Sequence, residues 1–312
     1  MEKALTILVR SIIALYLLLQ PLCSSAQVAL EAQIETIASG ITGRVGVYAL
    51  VMETGEAVSY HGEDRYPMQS VYKFPIGMAV LDRVDKGGLP LDREIRVDTS
   101  EYIPESGHSP LRDKFPEGTR VTVRQLLNYS VAESDGTACD VLLRLPGGTE
   151  KAREYVCGLG IQHIAIATTE QVQIANDLIQ YRNWATPKAM SALFRIFYSG
   201  NTLSEECKEV LLKYLSVSGP WFDRRIKGLL PKGIPVFHKT GTSGTLRRLT
   251  RATNDAGIIV LPNGQHVALS VFIADAYAIR KDREVTIAKI SRAIYDYYAI
   301  PGRQHFSTSP SR

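Results

Sequence analysis

Ser70 and Lys73 stand three positions apart in the stretch MQSVYKFPIGMAVLDRVDKGG, which covers residues 68–88. A serine hydroxyl is a poor nucleophile at neutral pH and needs a neighbouring base. Residues three apart lie on the same side of a helix, so the Lys73 amine could act on the Ser70 hydroxyl. The same spacing also fits a serine that caps a helix and a solvated lysine. The pair therefore indicates a catalytic site only if other motifs in the chain support that interpretation.

The segment that carries this pair reads as a helix. Apolar residues recur every three or four positions and predict one buried face, formed by Phe74, Met78, Leu81 and Val84. Gly87-Gly88 would stop the helix. Pro75 is tolerated if the helix begins near residues 70–72, because few intrahelical N–H bonds are lost in the first turn.

Strand signals lie near both ends of the chain, and helix signals lie between them. RVGVYALVM and AVSYH flank ETGE as in a β-hairpin, and IPVFHKTGT, DAGIIVLP and HVALSVFIAD follow late in the sequence. Residues 90–217 read mainly as helices. This order predicts an α/β (α+β) fold, in which a five-stranded antiparallel sheet from both chain ends is flanked by helices and carries an inserted all-helical domain. The predicted sheet domain comprises 27–65 and 218–300, the helical domain 66–217, and a flexible tail 301–312.

The N-terminus has the pattern of a signal peptide over residues 1–26. Lys3 and Arg10 precede a short apolar run that ends before Ser24-Ser25-Ala26, where we expect cleavage after Ala26. The run is short for a membrane span. We therefore expect a secreted, periplasmic protein with no stable membrane contact after cleavage. A lipoprotein anchored through Cys23 is the alternative, although Leu22 stands where a small residue is expected.

Composition argues against several other classes of function. The 312 residues are 45% hydrophobic and 22% charged, with a formal net charge of +4 and no basic arm, so we expect no nucleic-acid partner. No Cys-x-x-Cys or histidine pair at ligand spacing occurs, so we expect no metal and no cofactor. After cleavage three cysteines would remain, an odd number, so at least one thiol stays free. A monomer is the default expectation.

Two further motifs follow Ser70–Lys73 in the chain. Ser134-Asp135-Gly136 lies in the helical block, and Lys239-Thr240-Gly241 lies on a returning strand. This ordered set is typical of class A β-lactamases and penicillin-binding proteins. Longer segments also resemble class A serine β-lactamases, and more narrowly their extended-spectrum PER- and VEB-like branch: KFPIGMAVLDRVDKG, AESDGTACDVLLRLPGG, YRNWATPKAM, RIKGLLPKG, HKTGTSG and ATNDAGIIVLPNG. The resemblance covers residues 45–298 and implies a β-lactamase/transpeptidase-like fold and small-molecule β-lactam partners.

The resemblance implies a role for each motif residue. Ser70 would be the nucleophile, Lys73 its neighbouring base, and Ser134 the residue that passes a proton to the β-lactam nitrogen. The backbone N–H groups of Ser70 and Thr242 would form the oxyanion hole. Glu170, placed by anchoring on YRNWATPKAM in an omega loop around 166–186, would activate the deacylating water. The residues implied to bind substrate are Lys239, Thr240, Gly241, Thr242, His108, Gly136 and Arg225, with Arg224 as an alternative to Arg225.

The sequence departs from the family pattern at several of these positions. The usual Glu-x-x-Leu-Asn motif has Gln173 and Ile174 at its last two positions, and Gly136 replaces an asparagine that usually bonds the substrate amide. Thr168 and Asn183 stand where an arginine–aspartate ion pair usually closes the omega loop. We expect from this a less braced and roomier loop, which would suit bulky oxyimino-cephalosporins.

Three functions compete on these residues. The first is hydrolysis of the β-lactam amide bond of penicillins and cephalosporins through a serine acyl-enzyme that a glutamate-activated water releases, which gives antibiotic resistance. The second is a penicillin-binding D-alanyl-D-alanine peptidase with the same three motifs, against which Glu170 argues. The third is a β-lactam sensor that is acylated once, an alternative that Ile174 and Gly136 keep open.

Overall fold

The computed structural model describes residues 25–217, 219 and 222–300. Most of the predicted signal peptide, including Leu22 and Cys23, and the predicted tail 301–312 lie outside the described residues. Within the described part of the chain, no helix is both long and apolar enough to cross a bilayer.

Eleven strands are present in the described chain. They are β1 (Arg44–Val51), β2 (Ala57–Tyr60), β3 (Tyr66–Pro67), β4 (Glu94–Val97), β5 (Thr119–Thr122), β6 (Ile164–Ala165), β7 (Trp184–Ala185), β8 (Val236–Thr242), β9 (Thr245–Leu246), β10 (Leu249–Val260) and β11 (His266–Ala276). The main sheet has the order β2-β1-β11-β10-β8, and all neighbours are antiparallel. The fold class is confirmed, but the predicted count of five strands is wrong by one, because the short β9 pairs with β10.

Ten α-helices surround this sheet in the described chain. They are α1 (25–39), α2 (Lys73–Asp85), α3 (Pro110–Lys114), α4 (Val123–Leu127), α5 (Gly136–Arg144), α6 (Thr149–Gly158), α7 (Glu170–Ala175), α8 (Pro187–Ser199), α9 (Glu205–Leu215) and α10 (Arg280–Tyr298). Helices α2 to α9 lie between the hairpin β1–β2 and the returning strand β8, as the sequence predicts. Two small strand groups, β3-β7-β6 and β4-β5, accompany them.

Each face of the main sheet has its own hydrophobic core. Val45, Val47 and Ala49 of β1 point into a core shared with α1 and α10. Leu50 and its partly buried neighbour Tyr48 point the other way, into the core of the helical block. This alternation follows the two-residue period of a strand. We propose that the domain boundaries expected from the sequence follow this division between the two cores.

Helix α2 is more deeply buried than its sequence pattern predicts. Every residue from Lys73 to Leu81 is buried, so the expectation of a single buried face is wrong for the first two turns. The helix runs through the centre of the helical block, where the Phe74 ring stacks on Phe194 with centroids 3.9 Å apart. Gly87 follows the helix with φ +74°, as expected for a helix stop. Burial on all sides fixes the first turn of α2, from which Lys73 projects.

Asn254 joins the main sheet to the turn that precedes Ser70. This β10 residue is fully buried, and its Nδ2 donates to the carbonyl oxygens of Pro67 at 2.7 Å and Met68 at 3.1 Å. On the neighbouring strand β8, a Cβ added to Gly241 would lie 2.5 Å from the Met68 carbonyl oxygen. Only glycine allows such a close approach of two backbones. The buried Asn254 amide therefore bonds the sheet to the turn, and glycine at position 241 lets the two backbones come close.

We expect Asn254→Ala to lower the free energy of unfolding by about 2–4 kcal/mol, because it removes the side-chain donor to the Pro67 carbonyl and one of two donors to the Met68 carbonyl. Urea denaturation of the variant and the parent measures this difference. Asn201→Ala, in an exposed loop, is the control and should change stability by less than about 0.5 kcal/mol. Equal losses in the two variants would contradict the role given to Asn254.

Candidate active site

Ser70 lies in a 3₁₀ turn, Gln69–Tyr72, that leads directly into α2. Gln69 has φ +47°, a conformation that non-glycine residues adopt rarely and at an energetic cost. Its side-chain amide donates to Gln180 Oε1 at 2.7 Å, which ties this turn to the omega loop. Ser70 Oγ accepts a hydrogen bond from Lys73 Nζ at 2.9 Å. The structure thus brings together the pair with which the sequence analysis began.

Lys73 is the centre of a buried polar cluster. The side chain is 1% exposed, and Nζ also donates to the Ser134 carbonyl oxygen at 2.9 Å and pairs with Glu170 Oε1 at 2.8 Å. Burial lowers the pKa of Lys73, but the negative charge of Glu170 and other acidic groups outweighs it, so the pKa is raised overall. Lys73 is therefore an ammonium group at neutral pH and forms an ion pair with Glu170.

Ser134 is held between two lysines. Its Oγ accepts from Lys239 Nζ at 2.9 Å, while its carbonyl oxygen accepts from Lys73. The residue has φ +61°, again a rare conformation outside glycine. Asp135, and not Ser134, caps α5: its carboxylate accepts from the Ala138 N–H at 2.8 Å. Ser134 therefore does not serve as the cap, and its hydroxyl stays available for chemistry.

Lys239 projects from the edge strand β8 and is almost fully buried. Burial, followed by the nearby charge of Lys73, lowers the pKa of Lys239 to about 7. Its Nζ also donates to the Thr240 carbonyl oxygen at 3.3 Å. Because the Lys239 ammonium group loses its proton easily, an anion bound beside it would stabilise the charged form. Position 239 is therefore suited to binding a carboxylate.

Glu170 is the first residue of α7, and a neighbouring helix fixes that end. Thr169 caps α7, and the backbone N–H groups of Glu170 and Gln171 donate to the Asp140 carboxylate at 2.7 and 2.9 Å. Burial raises the pKa of Asp140 to about 7, against the lowering effect of these two hydrogen bonds. The sequence analysis missed Asp140, because nothing in the sequence shows that α5 and α7 meet there.

The neck of the omega loop is closed without an ion pair. Asn183 is buried, and its Oδ1 accepts from the N–H groups of Ala167 at 2.7 Å and Thr168 at 3.0 Å. Its Nδ2 donates to the Thr168 carbonyl oxygen at 2.8 Å. The expectation of a less braced loop is therefore wrong at the neck, because one amide supplies three hydrogen bonds. The expected extra room stays a prediction.

The far side of the loop is also attached to the main sheet. Arg251 of β10 pairs with Asp177, and Tyr181 donates to Asp275 of β11. The Arg251 guanidinium also donates to the Tyr181 hydroxyl at 3.3 Å. These contacts fix the loop segment that carries Gln180, the partner of Gln69.

A cavity of about 430 Å³ opens between the omega loop, β8 and the residues around His108. The functional candidates on its wall are Ser70, Lys73, His108, Ser134, Glu170 and Thr242, and the wall also includes Gln173 and Ile174. His108 is exposed, and its ring Nε2 lies 2.9 Å from the Glu133 carbonyl oxygen. The predicted catalytic residues therefore meet at one opening.

Two departures from the family pattern, Gly136 and Ile174, both lie close to Ile103. A Cβ added to Gly136 would lie 2.6 Å from Ile103 Cδ1 and 3.4 Å from Glu170 Cβ. A Cβ added to Gly107 would lie 2.4 Å from Ile174 Cδ1 and 2.7 Å from Ile103 Cδ1. The space that an asparagine at position 136 would need is therefore occupied by Ile103, a residue the sequence analysis did not single out.

Arg225 supports the site from behind β8. The side chain is buried, and its guanidinium donates to the carbonyl oxygens of Gly241 at 3.0 Å and Asn254 at 2.6 Å and to Thr242 Oγ1 at 2.5 Å. It does not form part of the described cavity wall. Arg224 is half exposed and lies 4.0 Å from Glu284. The structure therefore places Arg225 behind Thr242 and not in the opening.

The described cysteines and acidic groups add no metal chemistry or cross-link. Cys139, Cys157 and Cys207 are all free thiols, in line with the expected odd count. Among the described residues, no three histidine, cysteine or acidic side chains are grouped as a metal site would require.

We expect Asp140→Asn to flatten the dependence of stability on pH. The folded-state pKa of Asp140 is raised from 3.8 to about 7, so the folded protein holds a proton that the unfolded chain has lost. Stability should therefore fall as pH rises from about 4 to about 7 and then level off. Urea denaturation at several pH values tests this: the variant, which cannot ionise there, should lack that part of the slope. Parallel curves would contradict the assignment.

Comparison with known proteins agrees with this geometry. A family model described as "Beta-lactamase enzyme family" matches residues 29–298. Beta-lactamase VEB-1 of Pseudomonas aeruginosa is 36% identical over 271 residues (86% of this chain, 90% of the relative), and the extended-spectrum beta-lactamase PER-1 of the same species is 35% identical over 270 residues (86% and 87%). A beta-lactamase crystal structure from Chitinophaga pinensis has a TM-score of 0.83 at 40% identity (86% and 98%), and that of the TLA-1 extended-spectrum beta-lactamase has 0.85 at 37% (88% and 100%). The chain therefore belongs to the class A beta-lactamase family.

Proposed function

We propose that this protein hydrolyses the β-lactam amide bond of penicillins and cephalosporins through an acyl-enzyme on Ser70, and so gives antibiotic resistance. The observation that carries the proposal is the position of Lys73 Nζ, 2.9 Å from Ser70 Oγ and 2.8 Å from Glu170. One buried ammonium thus touches both the nucleophile and a proton acceptor. The relatives VEB-1 and PER-1, both named beta-lactamases, support the reaction class.

Acylation follows from proton transfers along these contacts. Lys73 first gives a proton to Glu170 across their ion pair, which leaves a neutral amine next to Ser70 Oγ. The amine takes the Ser70 proton as the oxygen attacks the lactam carbonyl carbon. The C–N bond then breaks, and the nitrogen receives a proton from Ser134, whose supply Lys73 restores. The oxyanion is held by the N–H groups of Ser70 and Thr242, whose strand comes close because Gly241 has no side chain.

The substrate carboxylate binds at β8. Lys239 supplies the charge, and Thr240, Gly241 and Thr242 form the adjoining strand surface. Arg225 acts as a positioning residue here, since its guanidinium holds the Thr242 hydroxyl from behind. His108 lines the same opening, and Ile103 occupies the space beside Gly136.

In deacylation Glu170 has a second role, as the base that activates the attacking water. After acylation, Glu170 first returns the proton that it took to Lys73, which restores the carboxylate and the ammonium group. The carboxylate then takes a proton from a water molecule as the water oxygen attacks the ester carbon. The ester C–O bond breaks, Ser70 Oγ takes a proton from Lys73, and Glu170 gives its proton back to Lys73. Deacylation separates the three functions that the sequence left open. A D-alanyl-D-alanine peptidase has no need of Glu170 in contact with Lys73, and a sensor would lack the water step altogether.

Three finer expectations from the sequence belong to this proposal. PER-1 and TLA-1 are both named extended-spectrum beta-lactamases, which supports extended-spectrum activity here, with oxyimino-cephalosporins as the proposed substrates. We also propose that the protein is exported to the periplasm with cleavage after Ala26. It would act there as a monomer and without a cofactor. The reaction uses only the side chains already described.

We expect Glu170→Gln to convert multiple turnover into a single burst. The amide cannot accept a proton from water, so the ester on Ser70 should persist. Acylation should still occur, because the variant lacks the negative charge that opposes the effect of burial on Lys73, so the neutral amine becomes easier to form. With excess chromogenic cephalosporin, the parent should release many product equivalents and the variant about one per enzyme. Intact-mass analysis should show an adduct on the variant.

Ser70→Ala is the control for this experiment and should show neither burst nor adduct. A single burst from the parent would favour the sensor. Hydrolysis by Ser70→Ala at the parental rate would remove the acyl-enzyme from the mechanism.

We expect Lys239→Arg to change the pH profile of kcat/KM. Lys239, with a pKa of about 7, loses its charge as pH rises, so carboxylate binding and kcat/KM of the parent should fall above pH 7. An arginine stays charged in this range, so its profile should stay flat to about pH 9, whatever its absolute activity. Steady-state kinetics on one cephalosporin measures both curves. The same decline in both would show that another group titrates.

A further inference from the structure

We infer that the side-chain amide of Gln173 positions the water that releases the acyl group from Ser70. In the usual family motif an asparagine stands at position 174, where this chain has isoleucine. The inference rests on the proposed function and identifies a positioning residue for its second step. Three observations support it: the burial of Gln173, its unpaired amide, and its place on α7.

Gln173 is buried without a protein partner. The residue is 7% exposed, yet neither Nε2 nor Oε1 has a hydrogen-bond partner among the described protein atoms. Leaving a buried amide unpaired is costly, so such groups in folded proteins usually bind solvent or ligand. Gln173 lines the same cavity as Ser70 and Glu170. Gln173 therefore lies in the wall of the space in which the reaction takes place and carries an amide that no described protein atom satisfies.

The geometry of α7 puts this amide beside the proposed base. Glu170 is the first residue of the helix and Gln173 is three positions later, so both side chains lie on the same side. Ile174, the next residue, offers no polar atom, and its Cδ1 packs against Gly107. The hydrogen-bonding task lost at position 174 is thus available to the neighbouring residue on the cavity wall.

An amide at this place has the donor and the acceptor that the step requires. The attacking water must donate one proton towards Glu170 and keep one lone pair directed at the ester carbon. A hydrogen bond from Gln173 Nε2 occupies the other lone pair, and Oε1 can accept the second proton. Such positioning lowers the barrier by fixing orientation and does not move a proton itself.

The test is Gln173→Leu, examined by stopped-flow kinetics and intact mass with a chromogenic cephalosporin. We expect acylation to stay within about twofold of the parent and deacylation to fall about tenfold to a hundredfold. KM should fall together with kcat, and the acyl-enzyme should accumulate on Ser70. The melting temperature should stay equal or rise, because an unpaired amide has been removed from the interior. Gln173→Met, of similar volume, provides a second apolar variant.

Two matched variants separate positioning from damage to the helix. Val172→Ala changes the exposed neighbour on α7 (45% exposed) and should leave both rate constants unchanged. The double change Gln173→Leu/Ile174→Asn recreates the usual Leu-Asn pair and should recover deacylation. Failure to recover, in a variant that melts like the parent, would overturn the equivalence of Gln173 with that asparagine.

The outcomes distinguish this inference from the proposed function. Parental deacylation in both Gln173→Leu and Gln173→Met would overturn the role of Gln173, while the parent's turnover would still uphold hydrolysis. Equal loss of acylation and deacylation would show a merely structural role and would also overturn it. A parent enzyme that does not turn over would instead overturn the proposed function.

Discussion

The site depends on one buried ammonium group that has three oxygen partners. Lys73 Nζ lies within 3 Å of the Ser70 hydroxyl, the Ser134 carbonyl and the Glu170 carboxylate. A charge in the interior is tolerated only when it is paired and hydrogen-bonded. Each partner comes from a different part of the fold, so the helical block, the Ser134 turn and the omega loop must all be in place before Lys73 can remain charged.

The surrounding fold can be understood as the means of holding these partners. Burial of α2 on all sides leaves Lys73 a single position, and the Asp140 carboxylate fixes the first turn of α7, where Glu170 begins. On the sheet side, Asn254 and Gly241 bring β8 against the Ser70 turn. Arg225 then fills the space behind this strand. The polar groups that do no chemistry are thus the ones that set distances, which explains why several of them are buried completely.

Much of this arrangement could be predicted from the sequence, and the reason is local. The hairpin β1–β2, the helix after Ser70 and the strand with Lys239 each have a short-range pattern of apolar residues, and the three motifs lie on them. The contacts missed by the sequence analysis are those between distant segments. The hydrogen bond from the Glu170 N–H to Asp140 joins positions 30 apart, and Ile103 fills the space beside Gly136 from another loop. The residues adjacent to a position in the sequence do not indicate which distant segment it will contact.

The omega-loop neck shows how far a neutral side chain can replace an ion pair. Asn183 forms hydrogen bonds with three backbone groups by itself, so closing the neck does not require a particular side chain at position 168. A charged pair fails when either partner is replaced and weakens as counter-ions accumulate around it. Here only one residue, Asn183, must be retained to keep the neck closed, and dissolved salt has little effect on its neutral hydrogen bonds. Selection can therefore alter the outer surface of this loop without opening its base.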